Sequence, residues 1–332
     1  MKTLIIGSGQ LSYYLEKEFP SSQMAGLSVP IWHDTKHFNG KPKKKLVYLD
    51  IVNRPDVEKF LSEFMPDVII NTAGITSIAE SFRETPKCFE VNFMGPLYIM
   101  DWISTYNPTC RFIQCSSTEV YQPRDYAVSL DLLQGPNFID YGGMSHCLVK
   151  DEKSTLGSVN PYGKSKIFSQ NMVEFYRDIH KLNASCAVFA NFESKLRDHR
   201  FVTAKIISHI KRLKKNPDLK PIGLGDLTSV RSWMHASEAA RAIKLISERE
   251  QPGDWVFAGS NISSIQYFLE LAFKIAGVDN YKDHYYVDEE LKREFEPLWV
   301  KPSADLAREE LGWETTYSLE DIIKDMLSSE WL

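Results

Sequence analysis

Tyr162 and Lys166 stand four residues apart, a spacing that puts both side chains on one face of a helix. A lysine ammonium beside a phenol stabilises the phenolate and lowers its pKa, which readies the tyrosine to move a proton. Taken alone, such a pair is common on helix surfaces. Its setting gives it weight. Ser116-Ser117-Thr118-Glu119-Val120-Tyr121 follows the apolar run Phe112–Cys115, so a hydroxyl at Ser117 and a carboxylate at Glu119 emerge from a strand end. The hydroxyl can hydrogen-bond the same substrate oxygen that the tyrosine serves. Glu119 is either a second acid/base or a strand-end carboxylate paired with a basic neighbour.

A second constellation lies at the N-terminus. Gly7-Ser8-Gly9-Gln10-Leu11-Ser12 follows a strand and opens a helix, the setting in which a glycine loop cradles a pyrophosphate. Gly7 makes the tight turn, and Gly9 lets the backbone approach. Gln10 and Leu11 start the helix whose N-terminus meets the phosphates. Ser12 replaces the third glycine but is still small. Asp50, followed by Ile51, can accept from an adenine amino group or cap the next helix. Thr72-Ala73-Gly74 ends a further strand with residues small enough for a dinucleotide to lie against. No acid closes the second strand, at Gly26-Leu27-Ser28, where a carboxylate grips the ribose of NAD. This points to NADP, with His33, Lys36 and Lys41 as phosphate partners, and leaves NAD open.

The elements that must position these residues alternate along the chain. Strands are expected at Thr3–Ile6, Gln23–Leu27, Leu46–Leu49, Val68–Ile70, Phe112–Cys115 and Ala184–Ala190. Helices are expected at Leu11–Phe19, Val57–Phe64, Cys88–Ile103 and Pro161–Leu182. This is an α/β, doubly wound parallel sheet of Rossmann type. Residues 1–191 read as a dinucleotide-binding domain that also carries the chemistry. Residues 192–332 read as mainly a smaller α/β substrate lobe, with some chain returning to the first domain. That lobe begins with an amphipathic helix, Phe201–Leu213, and ends with a helix at Leu319–Leu327. The segment 122–150 is long for a loop and rich in apolar residues, which suits a functional insertion.

Composition narrows the class. The chain has 332 residues, 43% of them apolar and 25% charged, with a formal net charge of -5, so no nucleic-acid surface is indicated. The five cysteines are scattered without a Cys-x-x-Cys pair, which argues against a metal site or a disulfide framework and for reduced thiols in the cytoplasm. The apolar run Leu4-Ile5-Ile6 meets glycine at once and reads as a strand, not a signal core. No stretch reaches bilayer-spanning length.

The whole set resembles the extended short-chain dehydrogenases/reductases and, among these, the GDP-mannose 4,6-dehydratases. Gln114–Glu119 is similar to the family's active-site strand, and Asn160-Pro161-Tyr162-Gly163 to the opening of its reactive helix. Asn191-Phe192-Glu193-Ser194, Phe201–Ile206, Arg231–Ala236 and Leu311-Gly312-Trp313 match other family stretches. The resemblance implies oxidation of a nucleotide sugar at C4, loss of water across C5 and C6, and return of hydride to C6. It implies that Tyr162 takes the 4-hydroxyl proton, Ser117 holds that oxygen, and Glu119 removes the C5 proton. Ser81, Asn191, Lys205 and Arg231 are implied substrate contacts, and Arg197 lies by the cofactor phosphate. GDP-mannose is the implied substrate, and a homodimer or homotetramer joined through the Tyr162 helix the implied assembly. The chain departs from the family at Ser12, Phe192, Ser232 and Glu296, and in the length of 122–150. An epimerase, decarboxylase or 4-oxidase acting on another nucleotide sugar is the alternative. A cofactor-sensing protein without catalysis is a further one.

Overall fold

The computed structural model describes residues 1–27, 46–122, 124–127, 146–291 and 301–330, except the side chains of 124–127 and 146–148. Ser28, His33, Asp34, Lys36, Lys41 and Glu296 lie outside the described residues, as does most of the 122–150 segment.

The apolar runs read as strands pair side by side in one parallel sheet. These are β1 (Thr3–Ile6), β2 (Gln23–Gly26), β3 (Val47–Tyr48), β4 (Val68–Asn71), β5 (Arg111–Ser117), β8 (Ala184–Phe189) and β12 (Asp254–Phe257). Their order is β12-β8-β5-β4-β1-β2-β3. It reverses beside β1, and ligands of such sheets bind at the carboxyl ends of the strands near that reversal. The strands read as unbroken apolar runs because both faces are covered. Side chains then alternate between the two faces. Ile5, Val68, Ile70, Ile113, Ala187 and Phe189 enter one core, and Leu4, Ile6, Ile69, Phe112, Ala184 and Val188 the other.

The helices α1 (Gln10–Glu18) and α8 (Ala236–Glu248) cover the first face. The helices α2 (Arg54–Phe64), α5 (Gly95–Tyr106) and α6 (Pro161–Asp178) cover the second. The helix expected over Cys88–Ile103 is composite. Ahead of it stands α3 (Ile78–Arg83). It then runs from α4 (Thr85–Phe89) through a π-helical turn at Glu90–Met94 into α5. The wide turn carries Asn92, whose buried amide bonds both Ile75 backbone groups, donating to its oxygen at 2.9 Å and accepting from its nitrogen at 2.8 Å.

Beyond residue 192 the chain builds a third core from α7 (Val202–Lys215), α9 (Ile265–Ala276) and α11 (Leu319–Leu327), closed by Trp233. Trp233 lies on β11 (Val230–His235), which stands between β9 (Phe192–Glu193) and β13 (Asn261–Ser264). A small parallel pair joins β10 (Ile222–Leu224) to β14 (Tyr285–Val287). The same half of the chain sends α8, α10 (Asp305–Leu311) and β12 back to the central sheet. The inserted segment enters and leaves as β6 (Arg124–Ala127) and β7 (His146–Lys150), an antiparallel pair flanked on the β7 side by β15 (Lys301–Pro302).

At the turn after β1, Gly7 holds φ +120°, and a Cβ there would run into the Thr72 hydroxyl and come within 2.8 Å of the Ala73 nitrogen. A side chain held in such backbone carries about 1–3 kcal/mol of strain before any clash is counted. Ser12, which stands where a third glycine was expected, is fully buried and bonds the Thr72 hydroxyl at 2.9 Å. Thr72 donates to the Ile6 carbonyl at 3.0 Å, so Ser12 is the donor of the pair. Its hydroxyl thus joins α1 to the end of β4 and gives the close packing that a third glycine would have allowed.

Candidate active site

The carboxyl ends of β1, β4, β5 and β8 open into one cleft of about 1860 Å³, which runs on to β11 and α7. That exceeds what one drug-sized ligand fills. The cleft is lined at one end by Gly7, Gly9, Gln10, Leu11, Asp50, Ile51, Thr72, Ala73 and Gly74. Ser117, Glu119, Tyr162 and Lys166 line it as well, Lys166 beside Gly74, and Asn191, Arg197, Lys205 and Arg231 line it from later in the chain, with the Arg197 charge acting on Tyr162.

The glycine-loop end suits a dinucleotide. A Cβ on Gly9 would meet nothing within 4 Å, so the backbone lies open to the cleft. Gly9 places no side-chain cap over the start of α1, the arrangement in which a helix N-terminus can face phosphate oxygens. Gln10 keeps this turn in place by donating to the Phe192 carbonyl at 3.0 Å and accepting from the Ser194 hydroxyl at 2.8 Å. Asp50 accepts from the Val52 nitrogen at 3.1 Å. The cap of α2 is Asn53 rather than Asp50, which leaves the Asp50 carboxylate on the cleft wall.

The reactive part is assembled by α6 docking on the end of β5. Ser117 caps a short turn, Thr118–Val120, by accepting from the Glu119 nitrogen at 3.3 Å. Asn160 caps α6 by accepting from the Gly163 nitrogen at 2.8 Å. The same amide donates to Glu119 Oε2 at 3.1 Å, so one side chain starts the helix and aims the carboxylate. A Cβ on Gly163 would stand 2.6 Å from the Glu119 carbonyl, a close approach that glycine permits. Further along α6, the Ser116 hydroxyl donates to Gln170 at 3.1 Å.

Tyr162 and Lys166 share one face of α6, and both are buried. Burial pushes the Tyr162 phenol up to about 12, the Ser117 hydrogen bond draws it back, and the nearby Glu119 charge pushes it up again. Lys166, expected from its spacing to face the phenol, is engaged with the backbone in this structure. Its ammonium donates to the Cys115 carbonyl at 2.9 Å and lies beneath Gly74. Burial pulls the Lys166 ammonium down.

The Arg197 guanidinium covers the Phe201 ring at 3.7 Å and faces Glu193 at 3.2 Å. Burial pushes the Glu193 carboxyl up, while Arg197 and a 2.8 Å hydrogen bond from Thr203 draw it down. Ser81 does not line the cleft as a substrate contact. It is fully buried, donates to the Ile78 carbonyl at 2.7 Å and accepts from the Tyr162 nitrogen at 3.1 Å. It therefore supports the reactive helix from behind. Sequence reasoning also missed the Glu119 contact of Asn160, although Asn160-Pro161 signals a helix start, and it missed the cleft-lining Lys150.

The family described as GDP-mannose 4,6 dehydratase matches residues 6–125 and 140–326. GDP-mannose 4,6 dehydratase 1 of Arabidopsis thaliana is 26% identical over 301 residues, covering 89% of this chain and 76% of the relative. The GDP-mannose 4,6 dehydratase of Homo sapiens is 23% identical over 304 residues, covering 86% and 76%. Among solved structures, UDP-glucose 4-epimerase of Thermotoga maritima with UDP-glucose superposes with a TM-score of 0.78 at 19% identity, covering 98% of this chain and 97% of that one. RMD from Pseudomonas aeruginosa complexed with NADPH gives 0.73 at 17% identity, covering 99% and 97%. At such identities these structures speak for a shared fold.

The raised phenol makes a prediction. In an ultraviolet difference titration of the protein, without added dinucleotide, against Tyr162→Phe, the Tyr162 ionisation should appear only in the alkaline region near about 12. A Tyr162 midpoint near neutrality would contradict the account of Lys166 as engaged elsewhere.

Proposed function

The chain belongs to the GDP-mannose 4,6-dehydratase family of extended short-chain dehydrogenases/reductases, and from that premise we propose that it is a nucleotide-sugar 4,6-dehydratase acting on GDP-mannose. The observation that carries this reading is Glu119. Its carboxylate is aimed by Asn160 and acts electrostatically on Tyr162 within the same cleft. Moving a proton at the 4-hydroxyl needs Tyr162 alone, whereas expelling water across C5 and C6 needs a second acid/base.

A nicotinamide dinucleotide, NADP in this proposal, supplies the hydride acceptor for C4 and the hydride returned at C6. Gly7, Gly9, Gln10 and Leu11 would hold its pyrophosphate, Asp50 and Ile51 would face its adenine, and Thr72, Ala73 and Gly74 would pack along it. Arg197 would serve its phosphate, and Tyr162 and Lys166 its nicotinamide end. Tyr162 takes the proton of the sugar 4-hydroxyl while Ser117 holds the oxygen. A phenol raised by burial needs a cation to do this, and Lys166, one helical turn away on the same face, is the cation that serves it. The 4-keto group acidifies the C5 hydrogen, which Glu119 removes as the 6-hydroxyl departs. Asn191, Lys205 and Arg231 bind the nucleotide and diphosphate, with donors suited to phosphoryl oxygens. The product is a 4-keto-6-deoxy sugar nucleotide.

The outward face of α6 exposes Phe168, Phe175 and Ile179, and this is the proposed contact of a homodimer or homotetramer. Light scattering should return a multiple of the 38.1 kDa chain mass; a single-chain mass contradicts it. For the reaction, GDP-mannose should yield a product lighter by one water. Glu119→Gln should lower turnover roughly 100- to 10,000-fold while nicotinamide reduction at the first step is still seen. No water loss from GDP-mannose or other hexose nucleotides would overturn the assignment. Deuterium entering C5 without water loss would mark an epimerase.

A further inference from the structure

We propose that Lys150 is a catalytic acid of this reaction, giving the proton with which the sugar 6-hydroxyl leaves as water. The inference rests on the dehydratase reading and adds a residue to it.

Lys150 ends β7, and its backbone is fixed by the neighbouring strands. It pairs in register with Pro302 of β15, and its carbonyl accepts from the Ser303 nitrogen at 3.0 Å. The side chain is only 7% exposed, yet it lines the cleft that holds Tyr162 and Glu119. A desolvated ammonium is costly and is kept where it has work to do.

The charges around it define that work. Burial pulls the Lys150 ammonium down, Glu119 in the turn after β5 pushes it up, and Arg231 of β11 pulls it down further. Among the described residues that follow it, Asp151 and Glu152 are engaged by other partners. Asp151 accepts from the Lys153 nitrogen and the Ser154 hydroxyl, and Glu152 accepts from the Val256 nitrogen. On the β15 side, Lys301 acts on Asp305. Of the charges named here, Glu119 is the one that supports the ammonium on Lys150. When Glu119 takes the C5 proton its own charge disappears. Burial and Arg231 then act without that opposing charge, and Lys150 becomes a stronger acid as the leaving oxygen needs a proton.

The step balances. The C5–H pair becomes the C5=C6 double bond as the C6–O bond breaks, and the departing oxygen keeps its electron pair. That oxygen takes a proton from Lys150 and leaves as water. The hydride removed from C4 then reduces C6, and Glu119 returns its proton to C5. The Lys150 amine regains a proton from solvent, matching the one that Tyr162 took from the 4-hydroxyl.

The test compares GDP-mannose with its 6-fluoro analogue, because fluoride departs as an anion without needing a proton. Lys150→Met should lose roughly 100-fold or more of water elimination and less than about 3-fold of fluoride elimination. Lys150→Arg keeps the charge but cannot give up a proton, so it should remain impaired with the 6-hydroxyl substrate; Lys150→Gln replaces the Met variant if that one misfolds. Equal losses on both substrates, or full rescue by arginine, would reduce Lys150 to a positioning charge and overturn the proposal while leaving the dehydratase reading standing. Failure of the wild-type protein to eliminate either leaving group would overturn both.

Discussion

The reaction centre depends on how helix α6 is docked against the end of strand β5. Polar contacts fix that docking, among them Asn160 to Glu119, Ser116 to Gln170, and Lys166 to the Cys115 carbonyl. Each joins a helix side chain to a group that the strand or its following turn presents. Because these groups are buried or partly buried, leaving one unpaired costs about 1–3 kcal/mol, so the helix has little freedom to slide. Ser81 adds a contact from behind, at the Tyr162 nitrogen. Tyr162, Ser117 and Glu119 keep their mutual geometry because their elements are held to one another.

The cleft follows from the same parallel sheet. Strand β5 lies between β4 and β8, so the reactive turn emerges beside both Thr72-Ala73-Gly74 and Asn191. Gly7 and Thr72 meet so closely that no side chain fits between them, and Ser12 ties the first helix into that contact. The glycine-loop part of the cleft is thus closely packed, while Asn191, Lys205 and Arg231 reach the cleft from separate, later parts of the chain.

This division explains what the sequence could disclose. The parallel sheet was legible because doubly covered strands are apolar throughout, and Tyr162 with Lys166 because helix spacing is local. Glu119 was legible because it follows Ser117 at a strand end. The second contact of Asn160 was not, since a cap is a local signal whereas its bond to Glu119 spans two distant elements. Ser81 was misplaced for the opposite reason: the segment matched, but burial turned the hydroxyl to a backbone nitrogen. Lys150 was hidden because its position comes from pairing with Pro302, far along the chain. The Lys166 bond to the Cys115 carbonyl was hidden because spacing places two side chains on one face without revealing what backbone lies beside them.

The central claim is that one set of side chains carries oxidation, elimination and reduction on a single sugar. The most direct measurement follows deuterium placed at C4 of GDP-mannose through one turnover. The account predicts a product lighter by one water with the deuterium at C6. A product that keeps the deuterium at C4, or loses it to solvent, would contradict it.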